Sequence, residues 1–237
     1  MFVEKPLAIR RDELTAIEDA LAVSGPAAPL LMVGFNRRFS LLAVLLKQQL
    51  SDSPTVMFYR VNAGTIAADS WIQHPEIGGG RIIGETCHFI DLMSFICGAV
   101  PVRVHSTAMD EPLNLRDTVT INLEFADGTV AYFANGAKNV SKEYLEVFQS
   151  GLTSQLTDFK RLEVFGPKAM LRKKRMQPDK GQATMVAQFL AAAKDSGPPP
   201  IRIKELLATT RATFAAVESI RTGEVVAMGN GTIDRMS

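Results

Sequence analysis

Six short strand-like segments follow one another between residues 102 and 165, and this succession most constrains the fold. Their apolar and polar residues alternate, which is typical of strands that bury one face. The segments are 102–109, 118–125, 130–135, 144–149, 152–157 and 161–165. Asp127-Gly128, between two of them, is a dipeptide favoured in tight hairpin turns. This region therefore predicts a mainly antiparallel open sheet.

The first fifty residues have a different pattern. An amphipathic helix is predicted over residues 12–24, with Asp12 as its N-cap. The continuous apolar run at 30–35 is typical of a buried parallel strand, and residues 1–3 resemble the end of another strand. A further helix is predicted over 41–50. Together these elements predict a fragment of an α/β sheet rather than a complete one.

The remaining segments predict helices that back the antiparallel sheet. Helical patterns cover residues 82–97, 183–193 and 204–222, and a further strand is predicted at 55–62. The basic run 172–175 has no flanking aromatic residues, so we interpret it as a solvated edge strand that its charges protect from pairing. The predicted fold class is α+β.

Composition excludes several classes of function. Twenty-six basic and 25 acidic residues give a net charge of +1, which argues against a dedicated nucleic-acid binder. The longest apolar run, 29–34, is too short to span a membrane, and no secretory leader is evident at the start. Cys87 and Cys97 form neither a disulfide framework nor a metal-spaced pair. We expect a cytoplasmic protein with no nucleic-acid partner, membrane partner or metal site.

The glycine cluster at 78–80 does not have the spacing of a dinucleotide-binding loop. The third glycine of that loop would fall at Ile83, and no predicted strand leads into the cluster. No other stretch has a common phosphate-loop spacing. Two interpretations stay open: a flexible turn before a helix, or a backbone that must approach a ligand closely.

Three titratable residues follow that turn at helical spacing. On a helix, Glu85, His88 and Asp91 would share one face. A histidine between two carboxylates suits a general base, because a carboxylate can orient the ring and stabilise its charge. The alternative is a polar stripe in which His88 makes a local hydrogen bond. Trp71, near the glycine turn, could line a pocket or merely pack.

Two charged segments lie at predicted strand ends. Lys5, held between Glu4 and Pro6, could place an ammonium beside a ligand or could lie in a surface turn. Arg37 and Arg38 follow a buried strand, at the edge where α/β folds bind ligands, although a polar loop explains them equally.

Taken together, these segments resemble the Gfo/Idh/MocA family of NAD(P)-dependent sugar and cyclitol oxidoreductases. The resemblance rests on E-K-P-L-A at 4–8, V-G-F-N-R-R-F at 33–39, G-G-G…H-x-x-D at 78–91, and the tail at 199–219. These ordered motifs cover essentially the whole chain. They imply hydride transfer between NAD(P) and a hydroxyl or keto group of a sugar, sugar nucleotide or cyclitol.

The resemblance also assigns roles to residues. Lys5 would assist proton transfer near the nicotinamide, His88 would be the acid/base, and Glu85 joins them as a catalytic residue. Cofactor-binding positions are Glu4, Lys5, Pro6, Arg37 and Arg38, and substrate-binding positions are Gly79, Gly80, Asp91 and Trp71.

The sequence departs from the family pattern in two ways. The family commonly has aspartate four residues before the histidine, where this chain has Gly84; we hypothesise that Glu85 reaches the same place. Family members also begin with a dinucleotide-binding half that carries the glycine fingerprint, whereas this sequence begins at E-K-P. We therefore expect either a truncated chain or one whose dinucleotide-binding half is supplied by another chain. In both cases we expect the isolated chain to be inactive and to bind NAD(P) poorly or not at all.

These considerations predict two domains. Residues 1–50 would be the C-terminal remnant of a Rossmann-type dinucleotide-binding domain, and residues 51–237 would bind a small sugar or cyclitol substrate and form a homo-oligomer through the sheet. The alternative function is a catalytically inactive oligomerisation or ligand-binding module.

Overall fold

A computed structural model describes residues 1–64, 66–110, 118–125, 131–132, 141–167 and 170–228. The α-helices in these residues are α1 (Arg11–Ser24), α2 (Leu41–Lys47), α3 (Cys87–Cys97), α4 (Gln182–Lys194) and α5 (Ile203–Thr222). The strands are β1 (Phe2–Val3), β2 (Met32–Val33), β3 (Val56–Val61), β4 (Arg103–Ala108), β5 (Val119–Glu124), β6 (Ala131–Tyr132), β7 (Glu143–Gln149), β8 (Leu152–Thr157), β9 (Arg161–Phe165), β10 (Met170–Lys174) and β11 (Val226–Ala227). Short 3₁₀ turns include Asn36–Phe39 and Trp71–Gln73, and a π-helical turn, Ile82–Thr86, runs directly into α3.

The strands form one parallel pair and two antiparallel sheets. Strand β1 pairs in parallel with β2, with Phe2 opposite Met32, and α1 makes the crossover between them. The larger antiparallel sheet has the order β10-β9-β8-β7-β3, and the smaller has the order β11-β4-β5-β6. The α+β fold with an α/β fragment ahead of it is therefore confirmed.

Two hydrophobic clusters fill the interior. In the larger one, inward-facing strand residues such as Leu145 and Val147 pack with Leu92 and Ile96 of α3. The smaller cluster surrounds the parallel pair and includes Met32, Val33 and Phe35. Helix α5 contributes to both clusters, with Phe214 in the smaller and Ala212 in the larger. The division at residue 50 stays a prediction, because α5 joins the two parts.

Most predicted elements are found within a few residues of their predicted limits. Helix α1 begins one residue before Asp12, which lies in the first turn; Glu13 instead accepts the backbone N–H groups of Ile9 and Arg10. The basic run lies largely in β10 at the edge of the larger sheet, as predicted. The predicted hairpin turn Asp127-Gly128 lies outside the described residues.

Strand β11 is absent from the sequence-based prediction, because two residues are too few to show alternation. No helix in the described part of the chain is long and apolar enough to cross a membrane.

Candidate active site

The glycine turn packs tightly against the preceding 3₁₀ turn. A Cβ on Gly78 would lie 2.5 Å from backbone atoms of Trp71 and Ile72. Gly79 and Gly80 have φ angles of 71° and 81°, which L side chains rarely adopt. Close packing thus accounts for Gly78, and the positive φ angles account for Gly79 and Gly80. Trp71 itself is 64% exposed.

Lys5 is tied to the helix that carries His88. It follows β1 and precedes a cis peptide bond to Pro6. Its Nζ donates a hydrogen bond of 2.6 Å to the carbonyl oxygen of Gly84, in the π-helical turn four residues before His88. The structure therefore brings together Lys5 and the glycine–histidine segment, which are far apart in sequence.

His88 is half-buried at the start of α3, and its ring stands edge-on to Phe35 with centroids 6.2 Å apart. Its Nδ1 is buried and has no hydrogen-bond partner among the described residues. Burial, followed by the positive charges of Arg37 and Lys5, lowers the pKa of His88 to about 2. The imidazole is therefore neutral near pH 7, in the form that can accept a proton.

Near His88, one buried carboxylate collects several donors. Glu143, at the start of β7, accepts hydrogen bonds from Arg37 Nε at 2.8 Å and Nη2 at 3.1 Å, from Tyr59 Oη at 2.5 Å, and from Lys180 Nζ. Burial alone would raise the pKa of Glu143, but Arg37, followed by Lys180, lowers it to about 2. We call Arg37, Tyr59, Glu143 and Lys180 the Glu143 network.

A second set of ion pairs is formed by Arg38, which follows Arg37 in the 3₁₀ turn Asn36–Phe39. Arg38 donates two hydrogen bonds to Asp91, at 2.6 and 2.9 Å, and one of 2.7 Å to Glu205, which Arg202 also contacts at 2.9 Å. Asp91 is 0% exposed, and burial raises its pKa to about 6 despite Arg38. We call these four residues the Arg38 network.

Several predicted site residues are therefore engaged inside the protein. Arg37 and Arg38, predicted to lie near a cofactor, donate hydrogen bonds to buried carboxylates. Asp91, predicted to bind substrate, is fully buried. These contacts are those of positioning residues, and the ligand-binding roles predicted for Arg37, Arg38 and Asp91 stay predictions.

Glu85 is drawn to a different partner from the one hypothesised. It accepts a hydrogen bond of 2.8 Å from Arg81, and among the described residues none joins it to Lys5 or His88. Glu4 is exposed, and its carboxyl group lies against Gly34 after β2.

Sequence reasoning missed Glu143 and Lys180. A signal for Glu143 was present: it shares the inward phase of β7 with Leu145 and Val147, so an acid stood in an apolar register. An acid in that position needs a buried cationic partner. Lys180 carried no such signal, because it lies in a loop.

A nicotinamide cofactor, which the family resemblance implies, fits this chain only in part. Lys5 after β1 and Phe35 after β2 both lie near His88, at the edge where α/β sheets bind ligands. The 237 residues contain no glycine-rich loop for the dinucleotide phosphates. The residues present suit the nicotinamide end and not the phosphate end.

Comparison with known proteins agrees with this geometry. Residues 55–172 match the family model for the GFO/IDH/MocA C-terminal domain. Solved structures share the fold over most of the chain. One is an oxidoreductase from Agrobacterium radiobacter in complex with NAD+, L-tartaric acid and magnesium (19% identity, TM-score 0.78, 96% of this chain and 72% of that chain). Another is aldose-aldose oxidoreductase from Caulobacter crescentus complexed with glycerol (17% identity, TM-score 0.78, 96% of this chain and 71% of that chain).

A third similar structure is the super-repressor mutant of Gal80p from Saccharomyces cerevisiae (14% identity, TM-score 0.75, 95% of this chain and 70% of that chain). No curated protein sequence matches the chain significantly. The chain thus shares the fold of these solved structures. The chain belongs to the Gfo/Idh/MocA family.

Proposed function

We propose that this chain is the substrate-binding and proton-transfer part of an NAD(P)-dependent oxidoreductase that acts on a hydroxyl or keto group of a sugar, sugar nucleotide or cyclitol. The observation that carries the proposal is His88, a neutral imidazole beside the Lys5 ammonium, whose Nδ1 has no hydrogen-bond partner in the part of the chain that the structure describes. The NAD+ and the polyhydroxylated ligands of the similar solved structures support it.

The proposed chemistry divides between cofactor and protein. When bound, NAD+ supplies the acceptor for the hydride that leaves the substrate carbon. His88 accepts the proton of the hydroxyl on that carbon, so that the hydroxyl becomes a keto group. Lys5 donates a hydrogen bond to the same oxygen and stabilises negative charge that develops on it. In the reverse direction His88 returns the proton.

The other predicted site residues fall into two groups. We propose that Gly79, Gly80 and Trp71 line the substrate side, because they lie directly before the π-helical turn that receives Lys5. Glu4 and Pro6 flank Lys5 on the cofactor side. Glu85 acts through Arg81, whose guanidinium also donates to the Gly64 carbonyl, and so positions this turn instead of touching the substrate.

Cofactor binding by the isolated chain is proposed to fail, since nothing in its sequence can cradle the dinucleotide phosphates. NADH and NADPH are therefore titrated, by nicotinamide fluorescence, into the 237-residue chain and into a longer chain with a glycine-rich dinucleotide-binding unit joined ahead of Met1. We expect saturable binding and sugar- or cyclitol-dependent NADH formation in the longer chain alone. His88→Ala should abolish its turnover and leave its NADH binding intact. Retained turnover in that variant would refute the role of His88.

Homo-oligomerisation through the larger sheet is part of the proposal. The outer face of this sheet exposes Val56 and Phe58 on β3 and Met170 on β10, with Phe58 46% exposed. Apolar groups of this kind on a sheet are typical of an interface. Sedimentation velocity should show a monomer after Phe58→Glu and an oligomer for the unchanged chain.

The alternative function is an inactive binding module. The similarity to a super-repressor mutant favours it specifically, because it shows that this fold also occurs in a protein described as a repressor. Under this alternative, the longer chain would bind NADH without any sugar- or cyclitol-dependent turnover.

A further inference from the structure

Lys180 is held in place by its backbone. The carbonyl oxygen of Lys180 accepts a hydrogen bond of 2.7 Å from Asn36 Nδ2. The next residue, Gly181, has a φ angle of 84°, and a Cβ there would lie 2.5 Å from backbone atoms of Asn36, Phe39 and Ser40. Asp179 Oδ1 accepts the Gly181 N–H at 3.0 Å. These contacts therefore fix the backbone from which the Lys180 side chain extends, beside the 3₁₀ turn Asn36–Phe39.

Among the residues that the structure describes, Lys180 forms an ion pair with one carboxylate, that of Glu143, and it shares this carboxylate with Arg37. Glu143 pairs with both Lys180 and Arg37, so two positive charges meet one negative charge. Arg37 is nearly enclosed, whereas the side chain of Lys180 is 28% exposed, against 2% for Glu143. Lys180 is thus the member of the network that can reach a ligand.

Lys5 adds a second uncompensated positive charge to the same site. Its hydrogen bond goes to a carbonyl oxygen, and it forms no ion pair within the described part of the chain. The acids nearby are used elsewhere: Glu85 pairs with Arg81, and Glu4 lies against Gly34. Both Lys5 and Lys180 act electrostatically on neutral His88. The site has a positive excess that the neutral hydroxyls of a sugar would not use.

We propose that Lys180 binds an anionic substituent of the substrate, a carboxylate or a phosphate, beside the group on which His88 acts. This inference rests on the proposed function and narrows its substrate class to acidic sugars or cyclitols. A lysine ammonium binds such groups as a point charge with three N–H donors, and these charge-assisted hydrogen bonds are stronger than neutral ones. Because Glu143 also keeps Arg37 and Tyr59 as donors, Lys180 can turn toward a ligand without leaving a buried carboxylate unpaired.

The chain offers a direct probe, because it has only three histidines, His74, His88 and His105. NMR carbon–proton correlation spectra of protein with isotope-labelled histidine give one set of ring signals for each of the three histidines. The set that disappears in His88→Gln belongs to His88. Acetate, its neutral isostere acetamide and inorganic phosphate are each titrated separately into the protein, and their affinities are compared. D-glucuronate is then compared with D-glucuronamide.

We expect saturable shifts of the His88 signal with acetate or phosphate, at least about tenfold tighter than with acetamide, which is the factor one charge-assisted hydrogen bond contributes. Whichever of acetate and phosphate binds tighter identifies the anionic group. Lys180→Met should remove this preference, and Lys180→Arg should keep it. Lys173→Met, on exposed β10, is the matched control and should leave the titration unchanged.

Three results would overturn the inference. Equal shifts with acetate and acetamide, or with glucuronate and glucuronamide, would leave a neutral polyol site, so the inference fails while the proposed function stands. No shift with any anion would show that the positive excess does not bind ligands. An anion preference that survives Lys180→Met would assign the anion to Lys5 instead. Failure of the proposed function shows separately, as retained turnover in His88→Ala.

Discussion

Arg37 and Arg38 are neighbours in sequence and lie in networks with different net charge. In the Arg38 network, two arginines face two carboxylates, so its charges cancel; Arg38, Asp91 and Glu205 are buried, and Arg202 is partly exposed. In the Glu143 network, Arg37 and Lys180 face one carboxylate, and Lys180 remains partly exposed. The difference shows that burial and charge alone do not mark a functional site. We propose that the balanced network stabilises the fold and that the positive excess of the Glu143 network lets Lys180 bind an anion.

Replacing Arg38 by Met should give the largest effect on stability. The substitution leaves Asp91 and Glu205 without their shared partner, and breaking a buried pair in this way costs about 3–5 kcal/mol of unfolding free energy. Urea unfolding measures the loss. A cost below about 1 kcal/mol, as for a surface pair, would show that the Arg38 network is not what holds α3 and α5 to this turn.

Glu143→Gln should cost less, about 2 kcal/mol by the same measurement. The amide oxygen can still accept a hydrogen bond from Arg37, and Lys180 can turn to solvent, so only part of the network is lost. If Glu143→Gln lost as much unfolding free energy as Arg38→Met, the two networks would contribute equally to stability, and the partial exposure of Lys180 would make no difference.

The pH dependence of stability should distinguish His88 from the buried acids. The folded pKa of His88 is about 2, below its ordinary 6.5, so the unfolded chain alone takes up this proton as the pH falls below 6.5. Stability is then lost at up to about 1.4 kcal/mol per pH unit. Asp91 has the opposite sign, because burial raises its pKa from 3.8 to about 6 and the folded state binds the proton first.

The variant His88→Gln separates these two contributions. This variant lacks the imidazole, so the stability that the unchanged chain loses through His88 is not lost, while the contribution of Asp91 stays. Between about pH 6.5 and pH 4, the free energy of unfolding of the variant should therefore fall less steeply than that of the unchanged chain. Urea unfolding at several pH values gives the two slopes. Parallel slopes would mean that His88 titrates normally in the folded protein.

Lys180→Met should have the smallest effect on stability, below about 1 kcal/mol, because Glu143 keeps its other donors and the lysine is partly solvated. Thermal unfolding beside Lys173→Met checks this. A loss as large as that of Glu143→Gln would make Lys180 a structural member of the network.

The strands and helices could be predicted because their apolar residues recur with a characteristic period, every second residue in a strand and every three to four residues in a helix. The alternation of β7 and the apolar runs near β2 and α3 are local signals, and so are the motifs around Lys5 and His88. The pairing of arginines with acids is not local. Glu143 lies 106 residues from Arg37, and Glu205 lies 167 from Arg38, so the sequence alone could not divide the two arginines between two networks.

The hydrogen bond from Lys5 to the Gly84 carbonyl has a geometric consequence. An ammonium carries three N–H donors around a tetrahedral nitrogen, and rotation about its last C–N bond normally spreads them over a cone. Anchoring one donor at 2.6 Å stops that rotation and sets the directions of the other two. The orientational entropy of the group is thus lost during folding, and in the proposed reaction the substrate oxygen would meet a donor whose direction is already set.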